Sequence, residues 1–346
     1  MESEEKTQQQ RIAALWQTLE QEHKAPQSTE IPYLSALTVE DAARLAQLWP
    51  RLPAAERRRL VASLVQLAEG DFSLDFAAIF RLALHDLDAT VRASAIEGFW
   101  EDEDAQLIPQ LTRFLLEDEA EEVRVMAAQC LGHFVLLGEL EKIRPRPFEM
   151  ACEALLAAHN NPQETLEVRR RALESLAYAS LPAFPELLQT AYAHPAAPLR
   201  LSAVFAMGRS ADPRWKETVI QELHNPDPAM RYEAARACGE LAAAAALHEL
   251  VELTEDVDSE VQEAALWALG QIGGELARGT LERHLHSTNE ALQEAAGAAL
   301  NELEFLHGDP THFLGLPEDF VGESDTRWEE LFMASDADED WPEDEE

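Results

Sequence analysis

The sequence predicts an all-α fold: an α-solenoid of about eight helix pairs with an acidic C-terminal extension. Three observations predict it. A ten-residue helical segment recurs seven times, beginning at Val91, Val123, Val168, Leu199, Met230, Val261 and Leu292, and the last four intervals are 31 residues each, after 32 and 45. The fifth column of that segment is alanine every time: Ala95, Ala127, Ala172, Ala203, Ala234, Ala265 and Ala296. Short turns such as HNPDPAM and TEDVDSEV separate the segments from the helices before them. Columns one, five, eight and nine share one helical face, which must be covered. Alanine in column five implies the close approach of another helix, where a longer side chain overpacks. A pair of helices of this length cannot bury its own apolar stripe, but stacked neighbours can.

The elements follow in order. Residues 1–10 are polar and read as frayed, and 11–20 read as a helix with Ile12, Leu15, Trp16 and Leu19 on one side. Residues 21–29 read as a linker. Helices over 39–49 and 54–69, the second closed by Gly70, form a divergent first unit or cap. Segments 74–84 and 107–116 precede the repeats at Val91 and Val123, and the latter helix runs to Leu137. The stretch GELEKIRPRPFE, with Pro145 and Pro147, reads as an edge loop that lengthens one interval, followed by a helix over 148–159. Outer helices are expected over 182–192, 215–223, 243–253 and 275–285, and the isolated glycines read as helix closers. Asn225–Pro226 and Asp227–Pro228 are turn signals, and Asp227 is placed to cap the helix after it. The expected divisions are an extension or cap over 1–38, the array over 39–305, and a tail over 306–346. Residues 309–346 hold 15 acids and one base, Arg327. The end of the tail reads as disordered and the stretch with Phe320, Trp328, Leu331 and Phe332 as a short docked helix.

Charge either simply keeps the protein soluble or narrows its partners. Sixty-six acids against 27 bases give a net charge of -39, a field that repels nucleic-acid backbones and anionic membranes and attracts basic proteins. Cys130, Cys152 and Cys238 are odd in number and widely spaced, which fits buried thiols better than a disulfide framework or a metal cluster. The first residues lack a basic segment leading into an apolar run, and no stretch is long and apolar enough to span a bilayer. A cytoplasmic protein is the expectation.

The unit length, the apolar–Arg opening and the Asp–x–x–x–Arg pattern at Asp88–Arg92 and Asp227–Arg231 resemble HEAT repeats over residues 39–305. They are most similar to the short HEAT-like repeats named after phycobilisome lyases. Gln262 replaces the arginine after Asp258, and Arg200 lacks the aspartate. The resemblance implies a right-handed array; it leaves activity open, because such repeats serve enzymes, adaptors and assembly factors alike. Deoxyhypusine hydroxylases of this superfamily build a di-iron site from repeated His-Glu pairs, and here only His248–Glu249 makes such a pair. Alkylpurine DNA glycosylases need a basic concave face, which the charge balance opposes.

Column two, with Arg92, Arg124, Arg169, Arg200 and Arg231, reads as a structural ladder in which each guanidinium reaches the carboxylate and carbonyls of the preceding turn. The competing reading is a basic ladder that grips an acidic peptide. Columns three and seven share the remaining face. They are partly charged early (Glu97, Arg170, Glu174) and become apolar and aromatic later, with Leu201, Phe205, Tyr232, Arg236 and Trp267. These five residues are the expected protein-binding patch, with Trp341 of the acidic tail as a second contact; the tail's alternatives are folding back on the positive ends of its own helices and a solubilising role without a partner. The alternative is that column seven only packs. Asp256, Asp258 and Glu260 read as a turn and helix start rather than a cation site. No nucleophile motif, phosphate loop or HExxH occurs, so no catalytic residue, metal or cofactor is expected. The expected function is a non-catalytic scaffold, adaptor or assembly factor that holds a protein partner, with a basic one favoured by charge. The alternative is a lyase-like or chromophore-handling HEAT-repeat protein.

Overall fold

A computed structural model describes residues 12–308 of the chain. The expectations for the frayed start, the tail and Trp341 lie outside the described residues. The chain divides between Glu222 and Leu223 into two compact units. In each, the fold is an all-α solenoid of helix pairs.

The N-terminal unit begins with helical residues 12–17, which widen into a π-helical turn at Thr18–Glu22. Leu15, Trp16 and Leu19 are buried there. After a 3₁₀ turn at Ile31–Leu34 come α1 (Val39–Leu48) and α2 (Ala54–Gly70). Three further pairs follow: α3 (Ala77–Ala83) with α4 (Ala89–Glu97), α5 (Ile108–Glu117) with α6 (Glu121–Glu139), and α7 (Pro145–Asn160) with α8 (Leu166–Leu176). Then come α9 (Phe184–Tyr192), α10 (Ala197–Arg209) and α11 (Lys216–Glu222). The inner helices stack in register, α4 on α6, α6 on α8 and α8 on α10.

The C-terminal unit holds α12 (Pro228–Glu240), α13 (Leu247–Leu253), α14 (Ser259–Ile272), α15 (Glu275–His284) and α16 (Glu290–His307). Its inner helices stack likewise, α12 on α14 and α14 on α16. Side-chain caps start these helices. The Asp227 carboxylate accepts from the Ala229 N–H at 3.1 Å, Asp258 from Glu260 at 3.0 Å, and Asn289 Oδ1 from Ala291 at 3.1 Å. Asp88 does the same for Val91 at the start of α4. Each such cap satisfies a backbone donor that the first helical turn leaves open.

All seven residues of the alanine column are 0% exposed, on the covered face of the inner helices. Three local expectations are corrected. Pro145 and Pro147 do not lie in a loop: α7 begins at Pro145, because the first turn of a helix needs no intrahelical N–H partner and tolerates proline. Glycines do end α2, α4 and α14, at Gly70, Gly98 and Gly273, but others serve the close approach of helices instead. Gly239 and Gly270 sit late within α12 and α14 where the next helix crosses. A Cβ on Gly239 would lie 2.6 Å from the Trp267 ring and 3.0 Å from Ala268 Cα, and one on Gly270 would lie 2.6 Å from the Ala299 carbonyl. Outer helices are also shorter than expected, as in Lys216–Glu222 and Leu247–Leu253, each preceded by a 3₁₀ turn that absorbs the first residues.

Candidate functional site

The column-two side chains run along the turns. Arg92 Nη1 donates to the carbonyls of Asp86 at 2.9 Å and Leu87 at 3.2 Å, while Nε and Nη2 make a two-point contact with Asp118 at 3.0 and 2.7 Å. Arg231 repeats this on the carbonyls of Asn225 and Pro226 and on Asp256, both carboxylate contacts being 2.8 Å. Arg124 bonds the carbonyls of Asp118 and Glu119 and the carboxylate of Glu164. Arg200 bonds the carbonyls of His194 and Pro195, and Arg169 that of His159. The carboxylate in the Arg92, Arg124 and Arg231 contacts comes from the following turn, not the preceding one. The preceding turn supplies only carbonyls, because the side chain leans toward its own N-terminus while its fork faces the next repeat. Gln262 keeps one contact of the set, donating to the Asp256 carbonyl at 2.7 Å. Sequence reading missed Arg57 in α2, whose Nη1 donates to the Leu52 carbonyl and whose Nε lies 2.7 Å from Asp86 Oδ2. The signal was present as an arginine five residues after a turn carbonyl, hidden in a run of three arginines.

These contacts shift ionisation in a testable way. The hydrogen bond from Arg231 holds the Asp256 carboxyl below its ordinary range, and Arg58 does so for Asp88. Their folded values lie below the unfolded aspartate value of about 3.9, so the stability they contribute is complete above it and is lost as pH falls through the folded values. Glu97 goes the other way: burial, then the nearby Glu69 carboxylate, raises its value. Its charge therefore penalises folding at neutral pH, and the penalty lifts as pH falls through the raised value. In urea titrations, Glu97→Gln is expected to raise the midpoint at neutral pH and Asp256→Asn to lower it. Both differences shrink in acid.

Tyr232, Arg236 and Trp267 are brought together. Tyr232 and Arg236 lie one turn apart on α12, and the Arg236 guanidinium carbon stands 3.6 Å from the centroid of the Trp267 ring on α14. All three are half-buried, so they neither vanish into the core nor stand free. Close packing of Gly239 beneath the ring fixes its position. They border a groove of about 940 Å³ across α12, α14 and α16, floored by Ala264, Ala295 and Ala299 and walled by Glu260, Glu263 and Glu302. Three carboxylates thus face one guanidinium, which leaves the lining acidic. Sequence reading missed Glu302, which lies one helical turn beyond column seven of the last repeat and outside the ten-residue alignment window. Leu201 and Phe205 belong to the N-terminal unit. They sit half-buried one turn apart on α10, with the Arg209 guanidinium carbon 5.5 Å from the Phe205 ring centroid.

Other chemistry-bearing groups are engaged in structure. Asp256 is held by Arg231 and Asp258 caps α14, which leaves neither oriented for a cation. His284 is buried against the Thr280 carbonyl, whereas His248 and His286 are exposed. Among the described residues, no group of three or more His, Cys, Asp or Glu is placed to hold a metal ion. No described helix is long and apolar enough to cross a membrane. Cys130, Cys152 and Cys238 are buried, and burial pushes each thiol up to about 12. Because the thiolate is the reactive form, all three are expected to resist a disulfide reagent in the native protein and to react promptly in denaturant. Fast native labelling of any one would contradict its placement.

The profile for HEAT repeats matches residues 77–177 and 216–301, more than half of the chain. The chain belongs to the HEAT-repeat family. No curated protein matches this HEAT-repeat chain in sequence. Among solved structures, it is similar to the complex of CpcE and CpcF of phycocyanin lyase from Nostoc sp., at 18% identity, covering 78% of this chain and 95% of that one, with a TM-score of 0.48. It is also similar to human deoxyhypusine hydroxylase, at 20% identity, covering 77% and 96%, with a TM-score of 0.34. A designed armadillo repeat protein in complex with the peptide (KR)4 matches at 21% identity, covering 57% and 99%, with a TM-score of 0.38.

Proposed function

We propose that this HEAT-repeat protein is a non-catalytic binding module, a scaffold, adaptor or assembly factor, that holds a basic segment of a protein partner in the groove of Tyr232, Arg236 and Trp267. The observation that carries this reading is the groove itself: half-buried aromatic rings over an alanine floor, walled by Glu260, Glu263 and Glu302. Aromatic side chains held by a rigid scaffold supply contact area at small entropic cost, and desolvated aromatic and arginine anchors commonly dominate binding energy. The carboxylates favour lysine and arginine in the partner, and the net charge of -39 speeds its approach.

In this reading residues 39–305 form the binding array, residues 1–38 its cap, and the acidic tail over 306–346 adds long-range attraction. Leu201, Phe205 and Trp341 are secondary contacts of the same proposal, and the column-two arginines hold the repeats in register. The 31-residue interval and the Asp–x–x–x–Arg pairs also support placing the array with the phycobilisome-lyase type of repeat, as a scaffold and without lyase chemistry. The partner is expected to be a protein of the compartment where the chain resides, the cytoplasm.

The test is salt- and charge-dependent capture. A partner retained by the immobilised full chain is expected to bind Glu260→Lys/Glu263→Lys/Glu302→Lys at least tenfold more weakly, and its affinity for the wild type is expected to fall as salt rises. Equal retention by the charge-reversed protein rejects the groove as the site.

A further inference from the structure

A second hollow lies in the N-terminal unit, apart from the Tyr232–Trp267 groove. It opens beside the C-terminal end of α2 and the turn that follows α4, occupies about 330 Å³, and is lined by Val65, Glu69, Phe72, Glu97, Trp100 and Asp102, among others. That volume sits at the small end of ligand pockets and is roughly ten times the ~30 Å³ share of one liquid water, so it suits a side chain rather than a large cofactor.

Two aromatic rings border it in unusual exposure. Phe72 is 77% exposed and Trp100 48% exposed. Single exposed apolar residues need no explanation, but two large rings on the rim of one hollow form a patch of the kind that marks an interaction surface. The walls are acidic. Among the described residues Glu69, Glu97 and Glu101 form no ion pair, so these carboxylates face the hollow without a cation. Glu97 also lines an adjoining hollow of about 430 Å³ together with Glu121, Glu122, Val125 and Met126. The two hollows therefore share one carboxylate and continue along the same inner-helix surface, from α2 across α4 to α6.

We infer that this surface docks a basic segment carrying one large apolar anchor, with the anchor seated between Phe72 and Trp100 and lysine or arginine side chains running along Glu69, Glu97 and Glu122. Charge complementarity selects this occupant. A second copy of the chain brings 66 acids and only 27 bases, and a nucleic-acid backbone brings phosphates, so either sets like charges together. A lysine or arginine near Glu69 and Glu97 offsets the repulsion between them, while the rings lose their contact with water. The site is independent of the Tyr232–Trp267 groove, and either can fail alone.

The experiment uses the full chain and a fluorescein-labelled peptide with one phenylalanine followed by alternating lysine and serine, read by anisotropy. A benzophenone replaces the phenylalanine in a parallel cross-linking sample. Cross-links are expected within 65–102, and Phe72→Ser/Trp100→Ser and Glu69→Gln/Glu97→Gln are each expected to weaken that peptide by about tenfold or more. Trp267→Ala is expected to leave the cross-links within 65–102 unchanged. Replacing the peptide's phenylalanine by serine, or its lysines by glutamate, is expected to abolish cross-linking there. These substitutions fall on exposed or half-exposed side chains, and far-UV circular dichroism checks that each variant is folded. Cross-links confined to other surfaces, undiminished binding by both double variants, or concentration-dependent dimerisation that the double variants abolish would overturn the inference.

Discussion

Arg92→Ala is expected to lower the stability of the N-terminal unit by about 3–5 kcal/mol, because removing one partner of a buried ion pair strands the other. The side chains of Arg92 and Asp118 are only 10% and 8% exposed, and the same guanidinium also satisfies the carbonyls of Asp86 and Leu87. Truncation leaves all three acceptors in a seam with little water. In the wild type the hydrogen bond to Asp118 raises the Arg92 guanidinium above its ordinary value, so the charged form is the one the seam holds. Arg113→Ala is the matched control. Its pair with Glu117 is 79% and 69% exposed, and its loss is expected to cost below about 1 kcal/mol. Urea titration with a far-UV readout distinguishes the two, and Asp118→Asn shows how much of the effect depends on charge. Equal, small losses for Arg92 and Arg113 would remove the ladder from the list of what holds the array.

Ala265→Leu is expected to destabilise the C-terminal unit by about 1–3 kcal/mol or more through overpacking. Ala265 is 0% exposed in α14, which stacks on α12 on one side and on α16 on the other. Helix α14 also packs on the outer helices α13 and α15, so added methylene groups must push one of its neighbours away, and the interior is too densely packed to absorb them. Such a shift also moves the walls of the groove, so the fluorescence of Trp267 is expected to change with it. Ala291→Leu, on the exposed start of α16, is expected to change stability by a few tenths of a kcal/mol at most. The comparison separates the alanine column's role in helix approach from simple helix propensity, which favours neither substitution strongly.

The repeat was legible because its physics is periodic. A covered face under close packing needs alanine in the same column of every repeat, and most inner helices take a side-chain acceptor at their start, so Ala265 and Asp258 announce themselves by recurrence. Exceptions were legible only afterwards. Pro145 and Pro147 looked like loop residues because proline breaks a helix interior, yet the first turn of α7 accommodates both. Gly239 looked like a helix closer, whereas its lack of a side chain admits the Trp267 ring of the next helix. Arg57 sits in a divergent pair where the repeat register could not be traced. The candidate groove was half legible: Tyr232, Arg236 and Trp267 follow from columns three and seven. Its wall was only partly so: Glu263 stands in column three, but Glu302 lies past the aligned segment and Glu260 precedes it. Leu201 and Phe205 follow from the same two columns and lie in the N-terminal unit.

The most direct measurement is cross-linking mass spectrometry on the complex between the full chain and its retained partner, with Tyr232→Ala/Trp267→Ala in parallel. Partner cross-links are expected on residues 232–302, and the double variant, folded by circular dichroism, is expected to bind about thirtyfold more weakly, equivalent to about 2 kcal/mol. A partner held with unchanged affinity by the double variant, with cross-links lying elsewhere, would contradict the account.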